Sequence, residues 1–214
     1  MLKKSFILMA MISVLSLTGC GAISSAVNDF KGSIVGNSYT IDSFDNSGNL
    51  MSKMNGEKID IEGNTTKSTS VDSDGTVSSN YELSSVLTIT IDGYEMESCG
   101  DTLIFYEDGL EPDVAFDPNY VVESSADGIL DNTILAGRLN SVKNLFGKSR
   151  IVVIKSQLGN PIYAFSGDEV YWEIPDDLPK FTKVMVKTGE KDSDWKALYI
   201  HRANFQIIDK ALLN

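Results

Sequence analysis

Arg150-Ile-Val-Val-Ile-Lys155, Pro161-Ile-Tyr-Ala-Phe165, Val170-Tyr-Trp-Glu173, Phe181-Thr-Lys-Val-Met-Val-Lys187 and Trp195-Lys-Ala-Leu-Tyr-Ile-His201 follow one another between residues 150 and 202. Each is short, rich in β-branched and aromatic residues, and bounded by turn formers: Leu158-Gly159-Asn160-Pro161, Gly167-Asp168, Ile174 to Pro179, and Thr188 to Asp194. Such runs read as strands. A parallel crossover needs a dozen or more residues, so these gaps predict consecutive antiparallel pairing, a meander. Side chains alternate across a strand. Alternation sends Val152, Ile154, Val170, Trp172, Ile174, Val184, Val186, Leu198 and Ile200 to one side, the expected core. It sends Tyr171, Glu173, Phe181, Lys183, Met185, Tyr199 and His201, with Tyr163 and Phe165, to the other.

Upstream, the same period opens at Tyr39-Thr-Ile-Asp-Ser-Phe44 and is broken by the turn Asp45-Asn46-Ser47-Gly48. Leu50 to Met54 and Lys58 to Glu62 continue it, and Val86 to Ile91 is the strongest strand of this half. Asp92-Gly93 suits a type I′ hairpin into Tyr94 to Glu97, and Thr102 to Glu107 follows. Asn64 to Ser79, dominated by Ser, Thr, Asp and Gly, predicts a long surface loop. Leu135, Leu139, Val142 and Phe146 line one face of a helix that Asp131 or Asn132 caps and Gly147 ends. Residues 204–213 fit either a helix face, through Phe205, Ile208 and Leu212, or another strand. The fold class expected is mainly β, α+β at the margin: an antiparallel barrel or sandwich with a C-terminal meander and one amphipathic helix. Residues 39–214 form one β-rich domain in this reading, with halves at 39–128 and 129–214.

The amino terminus reads differently. Lys3 and Lys4 precede an apolar run, Ser5 to Leu17, too short to span a bilayer, and Thr18-Gly19 stand directly before Cys20. This pattern resembles the bacterial lipobox. The resemblance implies a signal peptide over 1–19, a diacylglyceryl group on the Cys20 thiol, and a tether over 20–38. The protein would then sit on the outer face of the cytoplasmic membrane, held by lipid. Loss of the two leader lysines deepens the formal charge from −12 to about −14. Such a surface repels phosphate polymers and anionic headgroups, which excludes nucleic acid as a partner. With Cys20 lipidated, Cys99 is the one thiol left, so stability must come from a hydrophobic core and not from a disulfide.

Chemistry-bearing residues are few. His201 is the sole histidine, and Cys99 with His201 is a thiol–imidazole pair on paper, but nothing local activates the thiol. Asp176-Asp177, between Pro175 and Pro179, is the best local carboxylate pair, and its setting is that of a solvated turn. Asp45-Asn-Ser-Gly-Asn and Asp72-Ser-Asp-Gly cluster oxygen ligands but lack the glutamate that closes a calcium loop. No catalytic residue, metal or cofactor is therefore expected. The runs Lys148 to Gln157, Gly167 to Lys180 and Lys196 to Arg202, with Ser85 to Gly93 and Gly100 to Phe105, resemble a family of small lipoproteins of Gram-positive bacteria described as a domain of unknown function. The resemblance implies one fold and an envelope location, and it assigns no activity. The expectation is a non-enzymatic module with a protein or glycan partner, recognised by Tyr171, Glu173, Lys183, Tyr199 and His201. The rival is an envelope hydrolase working through acidic residues.

Overall fold

The computed structural model describes residues 31–34, 37–117, 139 and 147–213. The leader 1–19, the lipidation site Cys20, most of the tether 20–38 and the helix expected over 133–146, apart from Leu139, lie outside the described residues. The strands are β1 (Lys31–Ile34), β2 (Tyr39–Phe44), β3 (Leu50–Gly56), β4 (Ile59–Val71), β5 (Val77–Ile91), β6 (Tyr94–Cys99), β7 (Thr102–Glu107) and β8 (Val114–Ala115). After residue 147 come β9 (Arg150–Lys155), β10 (Pro161–Gly167), β11 (Val170–Glu173), β12 (Phe181–Lys187), β13 (Trp195–His201) and β14 (Asn204–Asp209). Residues 204–209 are thus a strand, paired with β9.

Two antiparallel sheets build the sandwich, in the orders β11-β12-β13-β7-β2-β3 and β14-β9-β10-β8. Phe44, Ile104, Tyr106, Val184, Val186, Leu198 and Ile200 from the first meet Val152, Ile154, Tyr163 and Phe165 from the second in one core. No barrel closes. Ile151-Val-Val-Ile154 is a continuous apolar run because both its faces are covered. Val152 and Ile154 enter that core, while Ile151 and Val153 join Leu139, Ala164 and Leu213 in a second cluster.

The meander expected over 150–202 is divided. β9 and β10 pair with each other, as do β11, β12 and β13, but β10 and β11 belong to different sheets. The step occurs at Gly167, where a Cβ would lie 2.7 Å from Val186 Cγ1 and 3.0 Å from the Lys187 carbonyl. The Asp168 and Lys187 amides then donate to the Lys187 and Glu169 carbonyls at 2.8 and 2.9 Å, fastening the crossing strand to β12. The expected parity also fails on β10. A register shift between Pro161 and Tyr163 turns the strand, so Tyr163 and Phe165 pair with Ile154 and Val152 and enter the main core with them. Trp172 and Ile174, expected in that core, are 58% and 49% exposed because β11 is an edge strand that overhangs it.

The described residues divide into two compact units, one holding Gly63–Ser84, the other residues 31–62 and 85–213. In the first, the segment expected as a surface loop is a hairpin. Its arms belong to β4 and β5, and the Asp72 amide donates to the Thr76 carbonyl at 2.9 Å across the turn. Thr and Ser suit a strand exposed on both faces, and the Ser70 and Ser78 hydroxyls pair across it at 2.7 Å. In the second unit, Lys31–Ile34 pairs with the start of β4, so the last part of the expected tether is a strand. With β5 and β6 it makes a third sheet that buries Ile34, Ile59, Ile61, Leu87 and Ile89. The Asp92-Gly93 turn has φ values of 50° and 89°, as a type I′ hairpin requires.

Candidate functional site

The alternation of rings and charges along β11, β12 and β13 assembles one surface. Tyr171 lies across from Met185, which lies across from Ala197; Glu173 lies across from Lys183, which lies across from Tyr199; Lys187 lies across from Trp195. Tyr171, Glu173, Lys183 and Tyr199 therefore share a face, joined there by Lys187 and Trp195. The contacts are specific. Tyr171 and Trp195 meet edge to face with centroids 5.1 Å apart, and Tyr199 meets Tyr39 at 6.1 Å. Lys187 Nζ lies 5.8 Å from the centre of the Trp195 ring, and Lys183 Nζ 6.0 Å from that of Tyr199. Lys183 bonds Glu173 at 2.9 Å, and Lys187 bonds Glu169 at 2.9 Å.

Exposure on this face is greatest at the edge strand β11. Phe105 and Phe181 are fully buried, Tyr199 is half-buried, and Tyr171 is 48% exposed. Partial burial opposes charge on Lys183, but its bond to Glu173 together with the neighbouring Tyr199 and Tyr171 raises its pKa. The Glu169 bond likewise raises that of Lys187. The ledge thus combines one exposed ring, Tyr171, and the half-buried rings of Trp195 and Tyr199 with cations held in place by acids.

His201 lies on the same face but does not reach the ledge surface. It is 5% exposed, stacks on Phe181 at 4.8 Å, and its Nδ1 lies 3.0 Å from the Lys180 carbonyl. Burial pushes its pKa down to about 4, with the Lys180 carbonyl opposing and the Arg202 and Lys180 charges adding to the shift. It is a core imidazole where an exposed polar contact was expected. Cys99 is exposed on β6, in a different sheet from His201. Asp176 and Asp177 lie exposed in a turn closed by the Leu178 amide on the Pro175 carbonyl at 3.2 Å. Asp45 accepts from the Asn49 side chain and from the amides of Ser47 and Asn49, which lowers its pKa. Its oxygens serve the turn. Among the described residues no group of three His, Cys, Asp or Glu is placed to hold a metal. An open depression of about 370 Å³ is lined by Gln157, Arg202, Ala203 and Asn204, without a carboxylate.

One cluster had no sequence signal. Asp42, fully buried on β2, accepts from the Tyr163 hydroxyl at 2.7 Å and the Tyr106 hydroxyl at 3.1 Å. Lys53 Nζ bonds the Tyr106 oxygen at 2.9 Å and lies 3.9 Å from Asp42. Asp42 Oδ1 has no hydrogen-bond partner among the described residues. Burial and the facing carboxylate both raise the Tyr163 pKa, so its hydroxyl stays a donor. Lys187 and Trp195 were also missed as ledge residues, although the same alternation extends to them.

No curated protein and no solved structure matches the chain. The family model described as Domain of unknown function (DUF5052) matches residues 3–213, nearly the whole chain. The chain belongs to the DUF5052 family.

Proposed function

We propose that this protein is a lipid-anchored, non-enzymatic binding module on the outer face of the cytoplasmic membrane of a Gram-positive cell. In this reading a diacylglyceryl group on Cys20 holds it to the membrane. The ledge of Tyr171, Glu173, Lys183 and Tyr199, with Lys187 and Trp195, recognises a protein or glycan of the envelope. One observation carries the proposal: exposed Tyr171 and the half-buried rings of Trp195 and Tyr199 share a face with cations fixed by Glu169 and Glu173. Aromatic side chains with an apolar body and a polar tip are the type enriched where proteins meet partners. The anchor is supported by the lipobox pattern of Leu17 to Cys20, and the formal charge of −12 disfavours nucleic acid.

The test has two arms on the full-length protein in cells. Cys20→Ala should release the protein from the membrane fraction and abolish globomycin-sensitive processing, since no thiol remains at the lipobox position to take the lipid. Tyr171→Ala/Trp195→Ala should keep the fold and lose retention on isolated envelopes. An unchanged lipidated product in the first arm refutes the anchor. Unchanged retention in the second refutes the ledge.

A further inference from the structure

Tyr171, Trp172 and Ile174, three of the large exposed apolar side chains, fall within four consecutive positions, and they are 48%, 58% and 49% exposed. We propose that β11 is a docking edge for an extended basic peptide segment of an envelope protein, which adds to the six-stranded sheet as a further strand. The proposal rests on the binding reading above and names its partner class. β11 pairs with β12 on its inner side, and among the described residues no strand lies on its outer side. Its outer backbone groups are therefore a template for pairing. Tyr171 points to the ledge face and Trp172, opposite Val184, to the core face, so both sides of the strand end in an exposed ring. A sugar ring stacks on one face of a sheet, whereas an added strand places alternate side chains over both. Two-sided exposure fits the strand.

Charge selects the partner. Asp168 to Asp177 contains five acids and no base. Lys148, Lys187 and Lys183 pair with Asp168, Glu169 and Glu173, while Asp176 and Asp177 stand exposed at the end of the edge. A second copy would bring this run against its own like in a chain of formal charge −12, whereas a segment bearing Lys or Arg complements it. Pro175 limits the pairing to a short segment, because it offers no amide.

The experiment uses the full-length protein in detergent and a fluorescent peptide of about six residues alternating Lys with Val and Thr. Two further peptides are N-methylated on alternate amides, one in each phase. The unmodified peptide should bind saturably. One methylated phase should weaken binding about tenfold or more and the other should leave it intact, because only one set of amides faces β11. Exchange of Lys for Glu in the peptide, or Trp172→Ala in the protein, should weaken it comparably. Equal binding by both methylated phases, or no saturable binding by the unmodified peptide, overturns strand addition. These peptide arms leave the protein unaltered, so misfolding of a variant cannot imitate them. Self-association that Trp172→Ala abolishes would make a second copy the occupant and also overturn the proposal. If envelope retention still depends on Tyr171 and Trp195 while both methylated phases bind alike, the ledge reading stands and strand addition alone falls.

Discussion

Tyr163→Phe removes one oxygen from the middle of the sandwich and leaves the ring. That oxygen donates to Asp42 Oδ2 at 2.7 Å, and Asp42 is fully buried with Oδ1 unpartnered among the described residues. After the change, the same carboxylate oxygen retains the Tyr106 hydroxyl at 3.1 Å and Lys53 at 3.9 Å. The Phe ring keeps its edge contacts with Phe44 and Phe165, so no large cavity opens. The loss is then a charge-assisted hydrogen bond, about 2 kcal/mol of stability within a usual span of ~1.5–3. For a domain of this size that corresponds to a fall in Tm of about 4–8 °C. Urea melts followed by circular dichroism, run beside Asp42→Asn and the double variant, read it out. The cycle should return a coupling of about 1–2 kcal/mol between the two sites. A loss below about 0.5 kcal/mol, or additive single changes, would refute the view that Asp42 depends on Tyr163.

His201 sets a pH limb. With its folded pKa at about 4 against an ordinary 6.5, the unfolded chain binds a proton between those values that the folded one refuses. Stability should therefore be full above pH 6.5 and fall as pH drops towards 4, by about 2–3 kcal/mol in total. Comparison of urea melts with His201→Gln, which should flatten that limb, isolates it from the carboxylates. Gly167→Ala should cost about 1–3 kcal/mol, because its Cβ meets Val186 at 2.7 Å and backbone at 3.0 Å; a thermal midpoint equal to wild type would contradict the tight crossing. Tyr171→Ala and Tyr199→Ala should separate in thermal melts. The first should cost under about 1 kcal/mol and the second about 2–4, since Tyr199 is half-buried against Tyr39.

The five strands between residues 150 and 202 are legible almost to their ends, because each alternates or runs apolar between Gly, Pro and Asp punctuation. Residues 204–209 fit helix or strand until their pairing with β9 decides it. The partners of the five are less legible. Gly167-Asp168 has the composition of a hairpin turn, and only the lack of room for a side chain shows that the chain changes sheets there. Parity survived on β11 to β13 and failed on β10, where Pro161 cannot donate to the ladder and the register slips. Lys31–Ile34 carries a single large apolar residue, Ile34, and is a strand because β4 lies beside it. The Ser- and Thr-rich hairpin looked like a loop because no core marks either face. Asp42 could not be read at all. In Tyr39 to Phe44 an acid signals an exposed side, and what reverses that is two tyrosines from distant strands, β7 and β10. His201 was placed on the correct face by alternation, but depth along that face depends on the covering chain.

The central claim is that the ledge at β11 to β13 meets a partner while the exposed Tyr94 ring on β6 does not. Site-specific photocrosslinking in living cells tests it most directly, with a benzophenone side chain in place of Tyr171 in the full-length protein. Tyr94, 82% exposed on β6, is the matched control. The account predicts a discrete adduct of defined mass from position 171 and none of the same mass from position 94. Identical adduct patterns from both positions, or no adduct from position 171, would contradict it.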